Sequence, residues 1–193
     1  SMAIKAADVK KLRDATGAGM MDAKKALTEA DGDFDKAVDL LRVAGQAKAA
    51  KRSDREAANG LVVGAGNALV QIGSETDFVA KNADFVATAD KIAKAVDVAK
   101  ADSKDAAAQV QLDDGKTVAQ TLEDLAGTIG EKIELADAAY FEGNTHIYLH
   151  RRSQDLPPQV GVMVEYTGED TEAVHGVCLQ IAAMNPRWVN RDE

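Results

Sequence analysis

Apolar residues along the chain change their spacing twice, and each change marks a new kind of element. In residues 8–16, Val9, Leu12 and Ala15 stand three apart and share one helical face. Gly17-Ala18-Gly19 interrupts the pattern, and two glycines there permit a sharp reversal. Residues 20–30 resume it, with Ala23, Leu27 and Ala30 on one stripe. Only one of Met20 and Met21 is expected in the core, because successive helical residues point about 100° apart. After Asp31-Gly32-Asp33, the Asp33 carboxylate is placed to cap a third helix. Phe34, Val38 and Leu41 fall at i, i+4 and i+7, and Gly45 is expected to end that run. Residues 1–45 therefore read as a three-helix module. Residues 46–59, polar, basic and Ala-rich, read as a helical connector and domain boundary.

From residue 60 the period shortens. Gly60-Leu61-Val62-Val63 and Ala68-Leu69-Val70-Gln71-Ile72 flank Gly64-Ala65-Gly66-Asn67, a β-hairpin signature. Residues 74–82 turn back towards helix. Residues 83–100 are strongly helical, with Phe85, Ala89, Ile92 and Val96 on one face. Residues 102–111 fit no period cleanly. Val118, Leu122, Leu125 and Ile129 mark a further helix that Gly130 ends. Strands follow at 133–141, 145–150 and 160–166, the last after Leu156-Pro157-Pro158, and residues 171–185 read as a closing helix with Val174, Val177, Cys178 and Ile181 buried. Strands with helices thus occur twice. The expected fold is α+β: an N-terminal three-helix bundle, then core subdomains at 60–131 and 132–193 built on antiparallel sheets covered by helices.

Composition narrows the function. The 193 residues carry a formal net charge of −9, a field that repels phosphate backbones. One segment runs against it: Arg42, Lys48, Lys51, Arg52 and Arg55 face only Asp54 as an acid. No aromatics interleave, so a solvated helix fits better than a nucleic-acid patch. The single cysteine, Cys178, excludes an intrachain disulfide and suits a reducing compartment. No apolar run is long enough to span a membrane. A cytoplasmic protein is the expectation.

Candidate chemistry is sparse. Phosphate-loop, nucleophile-elbow and zinc patterns are all lacking, so no catalytic residue, metal ligand or cofactor is expected. Cys178 reads as a packed, inert thiol. His146 and His150 are about 13 Å apart along a strand, too far to share a metal; with Tyr148 they line the face opposite Ile147 and Leu149. Residues 74–82 are the most unusual stretch. Phe78 and Phe85 lie seven apart, and the pattern alone favours burying both on one stripe. The alternative is an exposed pair, Asp77 beside Phe78, suited to anchoring a partner protein.

Several segments, in order and at compatible spacing, resemble one family. They are Val9-Lys10-Lys11-Leu12-Arg13, Thr16-Gly17-Ala18-Gly19-Met20-Met21-Asp22-Ala23-Lys24-Lys25-Ala26-Leu27, Gly32-Asp33-Phe34-Asp35-Lys36-Ala37, Glu75-Thr76-Asp77-Phe78-Val79-Ala80-Lys81-Asn82, Ile129-Gly130-Glu131-Lys132 and Leu156-Pro157-Pro158-Gln159-Val160-Gly161-Val162. Together they resemble elongation factor Ts over nearly the whole chain. The resemblance implies a ubiquitin-associated-like N-terminal module and a guanine nucleotide exchange factor whose partner is the GTPase elongation factor Tu. It implies that Arg13, Met20, Met21 and Lys24 dock on the GTPase. It implies that Thr76, Asp77, Phe78 and Val79 intrude near the partner's Mg²⁺ site, and that Ile129, Gly130 and His150 make further contacts. It also implies a helical hairpin and a C-terminal module that this sequence lacks. The rival classes are an adaptor without exchange activity, a small hydrolase and a nucleic-acid binder.

Overall fold

A computed structural model describes residues 3–166 and 178–185. The chain forms two compact units, Ser1–Asp54 and Arg55–Glu193.

The first unit is a bundle of α1 (Ala6–Thr16), α2 (Met20–Glu29) and α3 (Phe34–Arg52). Gly17 ends α1 with φ 73°, a conformation that side chains disfavour, and its N–H closes on the Arg13 carbonyl at 2.7 Å. Asp33 caps α3 as expected, accepting from the Lys36 N–H. The core is small: Leu12, Ala23, Ala26, Leu27, Ala30 and Ala37, with Val9, Phe34, Val38 and Leu41 half-buried around it. Ala15, expected on the α1 stripe, is exposed. Neither methionine enters the core; Met20 and Met21 occupy the first turn of α2, beyond the end of the buried stripe that starts at Ala23. Gly45 does not end α3 either, which continues to Arg52. An interior glycine costs about 1 kcal/mol relative to alanine, and the Ala-, Lys- and Gln-rich residues that follow are strong helix formers.

The second unit is layered. Strands β1 (Asn59–Ala65), β2 (Ala68–Ser74) and β3 (Ile133–Tyr140) form an antiparallel sheet with β2 in the middle. The hairpin turns tightly, with Ala65 opposite Ala68. The expected boundary at 131/132 falls just before β3, yet β3 hydrogen-bonds along β2 and completes this sheet. Between β2 and β3 run α4 (Asp77–Ala80), α5 (Ala83–Ala99), α6 (Lys104–Ala108) and α7 (Val118–Ile129). Phe85, Ile92 and Val96 of α5 and Val118 and Leu122 of α7 bury against Leu61, Val70 and Ile72.

The other face of that sheet meets a second antiparallel sheet: β4 (Asn144–His150), β5 (Val160–Tyr166) and β6 (Cys178–Met184), with β5 central. Val62 and Leu69 from the first sheet bury with Met163 and Met184 from the second. A Cβ on Gly161 would lie 2.5 Å from the Val62 side chain, so the sheets approach this closely only at a glycine. Covered on both faces, β2 is buried at every residue. The fold class is as expected: α+β, a helical bundle followed by two small antiparallel sheets.

One element differs. Residues 178–184 form a strand paired with β5, not the end of a helix, and residues 171–177 lie outside the described residues. Burial there follows period two: Met184 is buried, whereas Leu179 and Ile181 are exposed. A short apolar run such as Ile181-Ala182-Ala183-Met184 fits either period, and the free edge of β5 selects the extended one. The Cys178 backbone begins β6; its side chain lies outside the described residues. Leu149, expected in the core, is 37% exposed on the second sheet.

Candidate functional site

The exit from β2 is built to present one side chain. Ser74 is fully buried and ends the strand. Thr76 stays extended, with φ −124° and ψ 159°, and the chain then makes the single helical turn α4. Val79 and Ala80 are buried and pin this turn to the core. Phe78, one residue and about 100° round the helix from Val79, points away and is 77% exposed. Asp77 beside it is also exposed. Lys81 closes the turn, and the Asn82 side chain caps α5 by accepting the Phe85 N–H at 3.0 Å. Phe78 and Phe85 therefore sit on different helices, and only Phe85 enters the core.

Thr76 stands at the N-cap position of α4, but its hydroxyl does not cap that helix. It donates to Glu131 Oε2 at 2.8 Å, while its N–H donates to Glu131 Oε1 at 3.0 Å. The Thr76 carbonyl accepts the Ser74 hydroxyl at 2.8 Å. In the opposite direction, Glu75 Oε2 accepts the Lys132 N–H at 2.6 Å and meets Arg55 at 3.3 Å. The Glu75 carbonyl accepts from Asn59, and the Lys132 ammonium donates to the Arg55 carbonyl. The segment after α7 is thus bound to the segment after β2. Gly130 makes this possible: at φ 86° it ends α7, its N–H on the Ala126 carbonyl at 2.8 Å, and turns the chain towards Glu75.

The structure therefore brings Thr76, Asp77, Phe78 and Val79 together with the loop that carries Ile129 and Gly130. Of these, Ile129 is half-buried against the core and Gly130 is exposed. His150 is not drawn into this network by any bond among the described residues. It is exposed at the end of β4, stacked on Tyr148 with ring centroids 6.2 Å apart and the Tyr148 hydroxyl 3.1 Å from Nδ1. In the other unit, Arg13, Met20, Met21 and Lys24 are all exposed around the α1–α2 turn, the methionines by 59% and 77%. Glu75 and Glu131 carry no role in the sequence reading beyond their place in matching segments. The bonds that single them out join distant positions and leave no local periodic trace.

Among the described residues, no group of three or more His, Cys, Asp or Glu side chains could hold a metal ion, and no helix is long and apolar enough to cross a membrane.

The family described as elongation factor TS matches residues 75–193. The chain is 76% identical over 192 residues to elongation factor Ts of Cutibacterium acnes, covering 100% of this chain and 71% of that one. The chain belongs to the elongation factor Ts family. Other relatives agree. Elongation factor Ts of Mycolicibacterium vanbaalenii is 55% identical over 188 residues, covering 97% of this chain and 69% of its own. That of a Nocardioides species is 56% identical over 191 residues, covering 98% and 70%. Membership in the elongation factor Ts family places the chain among the translation elongation factors. The family match begins at Glu75, the first carboxylate of the network described above.

Proposed function

We propose that this chain is a guanine nucleotide exchange factor that binds the GTPase elongation factor Tu and promotes release of its GDP. The observation that carries the reading is Phe78, 77% exposed on a one-turn helix whose next two residues are buried. An aromatic held away from its own core by a fixed backbone suits insertion into a partner.

On a GTPase, nucleotide and Mg²⁺ hold each other, because the metal bridges and neutralises phosphate oxygens. Phe78 would wedge between the elements that support the metal, and Asp77 would compete for their polar partners. Thr76 and Val79 hold the turn from which the two act. With the ion weakened, phosphate charge is less compensated and GDP leaves faster. Coupling is reciprocal: GDP weakens this protein's binding by the factor by which this protein weakens GDP. Arg13, Met20, Met21 and Lys24 would dock the helical bundle on the GTPase, while Ile129, Gly130 and His150 extend the contact made by the second unit. No step makes or breaks a covalent bond, so no cofactor is called for, and the action belongs in the cytoplasm with translation.

The test is Phe78→Ala in stopped-flow release of a fluorescent GDP from elongation factor Tu. The variant should fold normally, since surface truncations usually change stability by less than about 0.5 kcal/mol. It should lose most of the acceleration. Full acceleration by a folded variant would refute the wedge; binding with no effect on release by the unaltered chain would favour an adaptor.

A further inference from the structure

Phe78 makes too little contact with its own protein to fix its direction, being 77% exposed. Its aim must come from the backbone of α4, and α4 has four residues. An isolated turn of that length is unstable in water. Burial of Val79 and Ala80 and the Asn82 cap hold its C-terminal side. At its N-terminal side Thr76 supplies no side-chain cap, because its hydroxyl is committed to Glu131.

We infer that Glu131 is a positioning residue for nucleotide release, its carboxylate clasping Thr76 so that Phe78 is presented in one direction before the partner arrives. This rests on the exchange reading above. Two oxygens of one carboxylate take two donors of one residue, at 3.0 and 2.8 Å, which fixes orientation as well as position. The Ser74 hydroxyl occupies the Thr76 carbonyl, so the N–H, hydroxyl and carbonyl of Thr76 are all engaged. Glu131 is itself held from the next residue, whose N–H is bound by Glu75 at 2.6 Å. The two sets of bonds continue the antiparallel register of β2 and β3 past Ser74 and Ile133, with Glu75 opposite Lys132 and Thr76 opposite Glu131. Each segment lends a carboxylate to the other's backbone N–H, so neither can slide without breaking both charge-assisted bonds. Ordering the wedge in advance spares that cost at the moment of release.

The clasp should therefore act on the maximal release rate more than on binding. With the intact chain, Glu131→Ala is expected to lower the GDP release rate at saturation by roughly tenfold, the scale of a lost charge-assisted hydrogen bond. The concentration giving half-maximal effect should change far less. Glu131→Gln, which keeps an acceptor for Thr76, should recover part of the rate. Thr76→Val should be slow, and Glu131→Ala with Thr76→Val no slower than Glu131→Ala alone. In the free protein, amide hydrogen exchange at residues 77–81 should quicken in Glu131→Ala. Wild-type release rates in a folded Glu131→Ala, or unchanged exchange at those amides, would overturn the clasp. If the unaltered chain fails to accelerate release while the amides still quicken, the exchange reading has failed and takes the functional role of Glu131 with it, leaving only a structural bond.

Discussion

Two exposed apolar sites, the start of α2 and the single turn α4, begin alike and are supported differently. Helices α3, α5, α6 and α7 each start with a side-chain cap, from Asp33, Asn82, Ser103 and Thr117. Helices α2 and α4 have none. Yet α2 runs for ten residues and buries Ala23, Ala26 and Leu27, so its first turn is carried by the helix behind it. Its exposed methionines are free to adapt, as flexible thioether side chains do. Helix α4 has no such length and takes its order from Glu131, a residue distant in sequence. An exposed apolar site can thus be left adaptable by hanging it on a stable element, or made directional by clasping a short one.

The largest effect should come from removing what supports α2. Leu27→Ala deletes a fully buried side chain at a cost of about 2–5 kcal/mol. A bundle of this size has little stability in reserve. Circular dichroism should show the helical unit melting at a much lower temperature while the second unit keeps its transition. A fully stable variant would mean that the methionine surface does not depend on that core.

Asn82→Ala should be milder. Loss of the α5 cap costs roughly 1 kcal/mol. Thermal unfolding should register it, and release of GDP should slow less than in Glu131→Ala, because the clasp survives. A greater slowing would shift the directional role from Glu131 to the cap.

Met21→Ala tests adaptability directly. Stability should change by less than about 0.5 kcal/mol, since the side chain is 77% exposed. Titration calorimetry with elongation factor Tu should show weakened binding, with the release rate at saturation nearly unchanged. A fall in that rate would place the methionine with the directional site.

The smallest effect is a control within β3, the strand that starts just after Lys132. Burial pushes the Asp137 carboxyl above its ordinary range, against the opposing pull of the Ala138 N–H and Lys104. With the folded pKa above the unfolded one, ionised Asp137 lowers stability. The cost is absent below the unfolded pKa, grows as pH rises through the folded value and is complete above it. Asp137→Asn should therefore be slightly more stable than the parent at pH 7, and the two should converge in acid, as read by urea unfolding across pH. Release rates at neutral pH should not respond.

Local signals foretold much of the fold. The hairpin was legible because Gly64-Ala65-Gly66-Asn67 separates two apolar runs, and short-range turn chemistry decides such a pairing. Helices α2 and α5 were legible because their buried residues follow one unbroken period, whereas α1 buries only Leu12 of its stripe. The segment 75–82 was one of six that together resemble the family. Periodicity failed at Phe78 for a definite reason: a seven-residue spacing to Phe85 implies a shared face only along one continuous helix. The chain breaks between Ala80 and Ala83, where Lys81 ends one helix and Asn82 starts the next. Met20 and Met21 stand outside the core because the buried stripe starts a turn later, and residues 178–184 are extended because a neighbouring strand offers backbone partners. Composition and spacing describe what a segment can form alone. The side chain that faces outward, and the distant carboxylate that holds it there, were settled only when β2, α7 and β3 packed together.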